Sequence, residues 1–237
     1  ERVRCDILDE LDLIHLTKGV DAVFHLAYIN GTKYFYTIPD KILEVGIIGT
    51  HNILKACMIN KVPNFFLASS SEVYQNADKI PTPEEIELKI PDILNPRYSY
   101  GGGKIASELL TINYLRPTDT RYVIFRPHNV YGPKMGFEHV IPELIGKIYK
   151  SSKGSCNKNE KCKIEIQGMG NDTRSFIYIN DAIKAIELCT IESGENGIYH
   201  IGNLDEKSIT DLCKLLGKIL KVELEITNTK SPKGSTP

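Results

Sequence analysis

The sequence predicts an α/β fold, in which a doubly wound parallel sheet is followed by a small C-terminal lobe. Short apolar segments alternate with helical patterns up to Gly132-Pro133, which predicts parallel strands joined by helices. Beyond that turn the pattern changes, which indicates a second, smaller unit. We therefore expect a core domain over residues 1–133 and a lobe over residues 134–237, of which about 178–202 returns to the core.

Apolar runs without alternation predict buried strands, because helices cover both faces of a parallel sheet. Apolar residues at i, i+3 and i+4 predict helices, with Asp40 as an N-cap and Gly19 as a C-cap. The predicted strands are Val3–Ile7, Val20–Ala27, Val62–Ser69, Tyr122–Phe125, Ile164–Ile166 and Gly197–Gly202. The predicted helices are Leu11–Lys18, Asp40–Asn60, Gly101–Tyr114, Val140–Lys150, Asn180–Thr190 and Ser208–Leu220.

The segments between these elements are predicted to be irregular. Residues 28–39 are expected to form a loop, and four prolines punctuate a long acidic loop before Gly101. The polar stretch Ser151–Lys163 is expected to be an insertion, and the polar tail from Thr227 is expected to fray.

Bulk composition argues against several classes of partner. Hydrophobic residues make up 41% and charged residues 25% of the 237 residues, and the net charge is −1. This balance predicts neither nucleic acid nor a membrane as a partner, and no apolar run approaches the ~18 residues of a membrane span. The six cysteines are scattered, so we expect reduced thiols, no metal site and a cytoplasmic protein.

One pair of side chains has a spacing with a chemical use. Tyr100 and Lys104 are four residues apart, so they share one face of the helix predicted there. A phenol titrates near pH ~10, and a nearby ammonium favours its charged form. Such a pair can shuttle a proton at neutral pH. Tyr149 and Lys153 have the same spacing without comparable surroundings, and we interpret them as a surface pair.

Two further segments place polar side chains directly after predicted strands, the edge at which open α/β sheets bind ligands. Ala68-Ser-Ser-Ser-Glu-Val-Tyr74 presents three hydroxyls and a carboxylate, which suits a site that hydrogen-bonds a sugar-like substrate. A serine-rich turn is the alternative interpretation of that segment. Arg126-Pro-His-Asn-Val-Tyr-Gly-Pro133 is, on its own pattern, a strand that ends in a turn.

Taken together, the motifs resemble the extended short-chain dehydrogenase/reductase superfamily, in its NAD-dependent nucleotide-sugar epimerase/dehydratase branch. The motifs that carry the resemblance are, in order, Asp6-Ile7, Gly19-Val-Asp-Ala-Val-Phe-His-Leu-Ala27, Gly49-Thr50, Ser69-Ser-Ser-Glu-Val-Tyr74, Tyr100-x-x-x-Lys104, Arg126-x-x-Asn-Val-Tyr-Gly-Pro133 and Arg174-Ser-Phe-Ile-Tyr-Ile-Asn-Asp181. The resemblance implies a Rossmann-like NAD-binding domain at residues 1–133 and a substrate-binding lobe at residues 134–237. It also implies NAD as cofactor, a nucleotide-diphosphate sugar as substrate, and a homodimer formed through the predicted helices 40–60 and 101–114.

By this resemblance the site residues fall into three groups. The catalytic residues would be Ser70, Glu72, Tyr100 and Lys104, and Tyr100 would take the proton of a sugar hydroxyl as hydride leaves for NAD. The cofactor residues would be Asp6, Ile7, Leu26, Ala27, Ser69, Tyr100, Lys104 and Pro127. Lys104 would hold the nicotinamide ribose and lower the pKa of Tyr100. The substrate residues would be Ser71, Asn129 and Arg174, because an arginine fork suits a diphosphate.

The chain departs from the family's pattern at several positions. The glycine-rich phosphate loop is absent, and Glu1 lies within a predicted strand. We therefore expect that the native chain is longer and that this chain lacks the first βα unit. Without that loop, we expect this chain to bind NAD poorly. Gly46 and Tyr28 stand where the family usually has an Asn and a small residue. Gly101-Gly-Gly103 fills the Tyr-x-x-x-Lys spacer, at a cost of about 1 kcal/mol per Gly relative to Ala.

The implied reaction begins with oxidation of a sugar C4 hydroxyl by NAD, which gives a 4-keto intermediate. Reduction from the other face makes a 4-epimerase, loss of water makes a 4,6-dehydratase, and loss of carbon dioxide makes a UDP-glucuronate decarboxylase-like enzyme. Glu72 favours chemistry beyond plain epimerisation. Two alternatives stay open, namely an NAD(P)-dependent reductase of a non-sugar carbonyl and an inactive fragment.

Overall fold

Two compact units make up the computed structural model, which describes residues 2–75, 77–154 and 161–230. The first unit comprises residues 1–128 and 180–201, and the second comprises residues 129–179 and 202–237. Each unit has its own buried apolar core.

The secondary structure alternates between strands and helices through most of the chain. In chain order, the strands are β1 (Val23–His25), β2 (Asn64–Ala68), β3 (Arg121–Pro127), β4 (Val130–Tyr131), β5 (Cys162–Gln167), β6 (Thr173–Ser175), β7 (Ile177–Tyr178), β8 (Gly197–Ile201), β9 (Glu206–Ser208) and β10 (Leu224–Thr229). The α-helices are α1 (Glu10–Leu16), α2 (Thr32–Thr37), α3 (Pro39–Leu43), α4 (Gly49–Asn60), α5 (Ser99–Leu115), α6 (Val140–Gly154), α7 (Ile179–Glu187) and α8 (Ile209–Leu220). Turns of 3₁₀ helix cover Ser71–Val73 and Pro96–Tyr98, and π-helical turns cover Glu44–Ile48 and Leu188–Glu192.

The predicted parallel sheet is confirmed in the first unit, where β1, β2, β3 and β8 are hydrogen-bonded neighbours in that order. All three pairings are parallel, with Val23 beside Phe65 and Phe65 beside Tyr122. Consecutive side chains of β2, from Phe65 to Leu67, are buried, as expected for a strand that is covered on both faces. Because parallel strands end at the same edge of a sheet, the residues that follow β1, β2 and β3 come together there.

Two predictions for the first unit are wrong. Residues 3–7 form no strand, because none of the described strands pairs with them and a strand needs a neighbour for its backbone hydrogen bonds. Residues 28–39 are not a loop throughout, since they include α2. Phe35 of α2 is buried in a cluster with Tyr100, and this tertiary contact outweighs the weak helical propensity of an aromatic-rich segment.

The predicted helix Asp40–Asn60 is present, but it begins at Pro39 with Ile38 as its N-cap residue, so the N-cap predicted at Asp40 is wrong. A π-helical turn divides the helix into α3 and α4. The stretch Pro39–Asn60 is long and apolar enough to cross a membrane, with a mean hydropathy of 1.4 over a window of which 50% is buried. Charged residues interrupt this stretch, so it contains no continuous apolar run of that length. A core helix of a soluble protein passes the same test, and Ile53, Leu54 and Cys57 of α4 lie in the core.

Apolar side chains remain exposed on the helices that the resemblance assigns to a dimer interface. They include Ile48, Ile59 and Leu109. Exposed apolar side chains are common on protein surfaces and do not identify what covers them, so the homodimer stays a prediction.

In its described part, the second unit contains three two-stranded sheets and the helices α6 and α8. β5 pairs in parallel with β10, β4 pairs in parallel with β7, and β6 pairs antiparallel with β9. Alternate residues of β5 are buried, which is typical of a strand covered on one face. The core of the unit is formed by Leu144, Ile148, Ile164, Ile166, Leu212, Cys213 and Leu216.

The polar tail from Thr227 begins as a strand, so the fraying predicted there is wrong for residues 227–229, and residues 231–237 lie outside the described part of the chain. β10 continues to Thr229 because it pairs residue by residue with β5. The insertion predicted at residues 151–163 belongs in part to α6 and β5, and its residues 155–160 lie outside the described part of the chain. The side chain of Lys153, the predicted partner of Tyr149, is also outside the described side chains.

Candidate active site

The residues predicted to be catalytic come together where β2 ends. Ser70 begins a turn of 3₁₀ helix, and its hydroxyl oxygen accepts a hydrogen bond from the Glu72 amide at 3.2 Å. Tyr100 lies in the first turn of α5, and Lys104 follows one turn later on the same face. The side chain of Ser70 lies beside Tyr100 and acts to lower its pKa. The strand end and the start of α5 therefore form one polar cluster of Ser70, Glu72, Tyr100 and Lys104.

Lys104 is anchored to the end of β2. Its side chain is almost completely buried, with 3% of the residue exposed, and its ammonium donates a hydrogen bond to the Ala68 carbonyl oxygen at 2.6 Å. Burial disfavours the charged form and lowers the pKa of Lys104 to about 7. Its charge is therefore sensitive to any group that comes to lie beside it.

Burial, and not Lys104, sets the direction of the pKa shift of Tyr100 in this structure, so the expectation that Lys104 lowers that pKa stays a prediction. Tyr100 is only 6% exposed, and burial raises its pKa to about 12. The Ser70 side chain opposes this rise, and the charge of Glu72 adds to it. The ammonium of Lys104 faces the Ala68 carbonyl and the ring of Tyr28, whose centroid is 3.9 Å from Nζ. Burial therefore favours the neutral form of Tyr100.

Arg97 is a site residue that sequence reasoning missed. Its Nη2 lies 2.9 Å from Oε2 and 3.1 Å from Oε1 of Glu72, so the ion pair holds the predicted acid–base group in place. The turn that carries Arg97 begins at Asn95, whose side chain accepts a hydrogen bond from the Arg97 amide at 3.0 Å. The Asn-Pro start of that turn is readable from the sequence, but the contact with Glu72 is not, because it joins distant parts of the chain.

A buried network of charges supports the ends of β2 and β3. Arg126 donates to Glu108 through Nη2 at 2.6 Å and through Nε at 2.9 Å. Ser69 donates its hydroxyl hydrogen to the same carboxylate, and Arg126 also donates to the Tyr74 hydroxyl. The Ser69 side chain is thus engaged in the core, and its role at the cofactor stays a prediction. The sequence did not single out Glu108, since a Glu on a helix is usually exposed.

The other predicted cofactor residues lie at the same sheet edge or before α1. Leu26 and Ala27 follow β1 and are exposed, and Pro127 ends β3 in a half-buried position. Asp6 is exposed, and Ile7 lies against α4, where its carbonyl oxygen accepts a hydrogen bond from Asn52. Leu26, Ala27 and Pro127 follow parallel strands, which places them at the binding edge. The roles of all five stay predictions.

Two predicted substrate residues belong to the second unit, and the third, Ser71, lies in the turn after β2. The Asn129 side chain donates to the Ser175 carbonyl oxygen at 2.9 Å. Arg174 is half-buried and donates to the Thr173 carbonyl oxygen at 2.8 Å. Contact of these three residues with a substrate stays a prediction.

The three glycines between Tyr100 and Lys104 have different surroundings. A Cβ atom at Gly101 would lie 2.8 Å from the Glu72 carbonyl oxygen, whereas one at Gly102 would meet only Ile90, at 3.4 Å. We expect Gly102→Ala to raise the free energy of unfolding by about 0.5–1 kcal/mol, because Ala loses less backbone entropy in a helix. Gly101→Ala should lower it by about 1–3 kcal/mol, since the turn that carries Glu72 must shift. Urea denaturation measures both, and a stabilised Gly101→Ala variant would contradict the close approach of α5 to that turn.

Comparison with known proteins identifies the family. A profile of the NAD dependent epimerase/dehydratase family matches residues 1–202. The chain belongs to this family. It is 31% identical over 227 residues to the dTDP-D-glucose 4,6-dehydratase of Dictyostelium discoideum, and the aligned region covers 92% of this chain and 49% of that protein. It is also 31% identical over 211 residues to the UDP-N-acetyl-alpha-D-glucosaminuronate decarboxylase of Bacillus cytotoxicus, and the aligned region covers 88% of this chain and 62% of that protein.

A solved structure agrees with the fold. The UDP-glucose 4-epimerase of Thermotoga maritima, solved with UDP-glucose, matches with a TM-score of 0.82 and 26% identity, over 98% of this chain and 72% of that one. The parallel sheet of the first unit is therefore that of a Rossmann-like epimerase/dehydratase fold, which confirms the predicted fold class and the resemblance. The chain spans 49% to 62% of the length of the two curated relatives named above.

The residues at the strand edge fit the cofactor of an NAD-dependent family. Leu26, which follows β1, is 61% exposed and offers an apolar surface that a planar ring can cover. Ser70, Tyr100 and Lys104 supply hydrogen-bond donors at the neighbouring strand end, as a ribose requires. An apolar wall beside a few convergent donors is the composition of a cofactor cleft.

Proposed function

We propose that the protein is an NAD-dependent enzyme that oxidises the C4 hydroxyl of a nucleotide-diphosphate sugar and acts through a 4-keto intermediate. The observation that carries this proposal is the cluster of Ser70, Tyr100 and Lys104 at the end of β2, in a member of an NAD-dependent family. NAD supplies the hydride acceptor when it is bound. The relatives named above include a dehydratase, a decarboxylase and an epimerase of nucleotide sugars, which supports a substrate of that class.

Tyr100 is the proton-transferring group in this proposal. Its ring has Tyr28 and Phe35 as neighbours, with a ring centroid 5.1 Å away in each case, so its hydroxyl has a set position. The Ser70 hydroxyl, which lies beside Tyr100, orients the sugar hydroxyl next to it. The oxidation step needs the Tyr100 phenolate, which would accept the proton of the C4 hydroxyl as the hydride leaves for NAD, and the positive charges of NAD and Lys104 would favour that form against burial. The neutral phenol that results is suited to returning a proton to the sugar oxygen when a ketone is reduced.

Glu72 favours loss of water or carbon dioxide over plain epimerisation. Once the ketone has formed, these reactions need a second group that takes or returns a proton at C5. The Glu72 carboxylate is held by Arg97 at 2.9 Å, and 34% of its side chain remains exposed, so a substrate can reach it. A reductase of a non-sugar carbonyl and an inactive chain are not favoured by the relatives.

The proposal is tested with the full-length protein and a panel of UDP-, dTDP-, GDP- and CDP-sugars. The mass of the product separates dehydration, decarboxylation and epimerisation. We expect Glu72→Gln to slow product formation by about 100-fold or more. Bound NAD should still be reduced to NADH in this variant, because oxidation at C4 uses Tyr100 and not Glu72.

Glu87→Gln is the matched control, since it neutralises an exposed carboxylate in the loop before α5. It should leave product formation unchanged. If Glu72→Gln forms product at the wild-type rate, Glu72 does not act as the acid–base group. Absence of both product formation and NAD reduction with every sugar would refute the proposed function as a whole.

A further inference from the structure

The side chain of Tyr28 contacts both members of the pair Tyr100 and Lys104. Tyr28 follows β1, and its ring lies edge-on to the ring of Tyr100, with centroids 5.1 Å apart and an interplanar angle of 80°. The same ring lies over the Lys104 ammonium, with Nζ 3.9 Å from the ring centroid. Phe35 stacks on Tyr100 at 5.1 Å with an interplanar angle of 23°. The reacting phenol is therefore held by two aromatic rings, one of which also covers the ammonium.

Two glycines form a slot that admits Tyr28. A Cβ atom at Gly46 would lie 2.7 Å from Cε2 of Tyr28 and closer still to Cζ and the hydroxyl oxygen. A Cβ atom at Gly103 would lie under 3.0 Å from the same hydroxyl oxygen, but 3.4 Å from Cζ. Only a hydrogen atom fits at these two positions while Tyr28 occupies the slot.

The backbone on the Gly46 side of the slot is held in place. Gly46 lies in the π-helical turn Glu44–Ile48, and its carbonyl oxygen accepts hydrogen bonds from Thr50 at 2.6 Å and Ser107 at 3.1 Å. The single hydroxyl hydrogen of Ser107 is shared between this oxygen and the Gly103 carbonyl oxygen, which lies 2.9 Å away, so Ser107 lies between the two helices that form the slot. The slot is therefore a built feature, since neither wall can move without breaking these hydrogen bonds. Single π-helical turns are frequent at functional sites.

The ring of Tyr28, and not its hydroxyl, makes the contacts that matter. The hydroxyl oxygen is buried and has no hydrogen-bond partner among the residues that the structure describes. Burial raises the pKa of Tyr28, so the phenol carries no charge near neutrality. The face of an aromatic ring attracts a desolvated ammonium, and the attraction depends on its position over the ring. An aliphatic side chain of similar size would fill the space without this attraction.

We propose that Tyr28 is a positioning residue, whose ring sets the positions of Lys104 and Tyr100. Gly46 and Gly103 leave the space that this ring occupies, because a Cβ atom at either position would meet Tyr28. This inference rests on the proposed function of Lys104 and Tyr100. It accounts jointly for the large residue at position 28 and the glycine at position 46. Tyr28 acts through Lys104, so its effect depends on that ammonium.

The first test measures binding of NAD to the full-length protein, by calorimetry, in four variants. Tyr28→Leu should weaken NAD binding by about 10-fold, because the ammonium loses the ring that holds it. Tyr28→Phe, which keeps the ring, should bind NAD as the wild type does. Tyr28→Leu in a Lys104→Met background should bind NAD as Lys104→Met alone does. An equal loss in both backgrounds, or a loss with Tyr28→Phe, would overturn the proposal.

The second test measures thermal unfolding and needs neither cofactor nor sugar. Gly46→Ala and Gly103→Ala should each lower Tm by about 2–10 °C, because the added Cβ meets Tyr28. Tyr28→Phe should rescue Gly103→Ala, since the nearest remaining ring atom is then 3.4 Å away. Tyr28→Phe should not restore the Tm of Gly46→Ala, because the added Cβ still meets the ring. In a Tyr28→Ala background, which lacks the ring, Gly46→Ala should lower Tm no further. Gly102→Ala is the matched control and should respond to no change at position 28.

The two tests separate this inference from the proposed function. If no sugar is turned over but both tests succeed, the proposed reaction fails and the placing of Lys104 by Tyr28 stands. If sugars are turned over but Tyr28→Leu binds NAD as the wild type does, the inference fails alone. If Tyr28→Phe restored the Tm of Gly46→Ala and Gly103→Ala equally, the proposed slot would be contradicted, because the ring would then not contact Gly46.

Discussion

Tyr100→Phe should lower the turnover number of the full-length protein by about 10²–10⁴-fold, the range in which a positioned proton-transfer group contributes. The substitution removes only the hydroxyl, while the ring keeps its place between Tyr28 and Phe35. NAD binding and Tm should therefore stay close to those of the wild type. Steady-state kinetics with the sugar identified from the panel, calorimetry for NAD and thermal unfolding measure these three quantities.

Tyr114→Phe is the matched control for this experiment. Tyr114 lies on the same helix, α5, and its hydroxyl is hydrogen-bonded to His51 Nδ1 at 3.0 Å, away from the strand end. Its loss should change stability slightly and turnover not at all. Equal turnover numbers for Tyr100→Phe and Tyr114→Phe would remove Tyr100 from the mechanism.

Glu108→Gln should lower the free energy of unfolding by about 3–5 kcal/mol, because it leaves the Arg126 charge buried without its counter-charge. The exposed fractions of Glu108 and Arg126 are 3% and 2%, and two hydrogen bonds of 2.6 Å and 2.9 Å join them. Ser69 is hydrogen-bonded to the same carboxylate, so the loss also loosens the strand end that carries Ser70. Urea denaturation with linear extrapolation measures the effect.

A surface ion pair supplies the control. Glu143 and Lys147 are 2.7 Å apart on α6 and are much more exposed, so Glu143→Gln should cost about 0–1 kcal/mol. Replacing both buried partners, by Glu108→Leu with Arg126→Met, should recover much of the loss, because no uncompensated charge then remains in the core. If Glu108→Gln costs no more than Glu143→Gln, the buried pair does not contribute to stability as its geometry indicates.

Features that depend on local sequence were predicted well. The strands β2 and β3 and the helix α5 follow from apolar runs and helical spacing, which are properties of neighbouring residues. The strand at residues 3–7 and the fraying of residues 227–229 were predicted wrongly, because strand formation depends on a partner. Residues 3–7 have none among the described strands, whereas the polar residues of β10 are held by β5.

The active site also has features that follow from local sequence and features that depend on tertiary contacts. The sequence by itself determined that Tyr100 and Lys104 share a helix face, that serines and Glu72 follow β2, and which family the chain belongs to. Only the tertiary structure decided the ion pair of Arg97 with Glu72, since it joins segments whose distance is set by the fold.

The tertiary structure also decided the electrostatics of the reacting pair. Burial moves the pKa of Tyr100 up to about 12 and that of Lys104 down to about 7, and no spacing rule contains burial. The slot of Gly46 and Gly103 for Tyr28 is of the same kind, because it exists only where three separate segments meet. Sequence spacing thus determined which groups can act, and packing determined their protonation and their place.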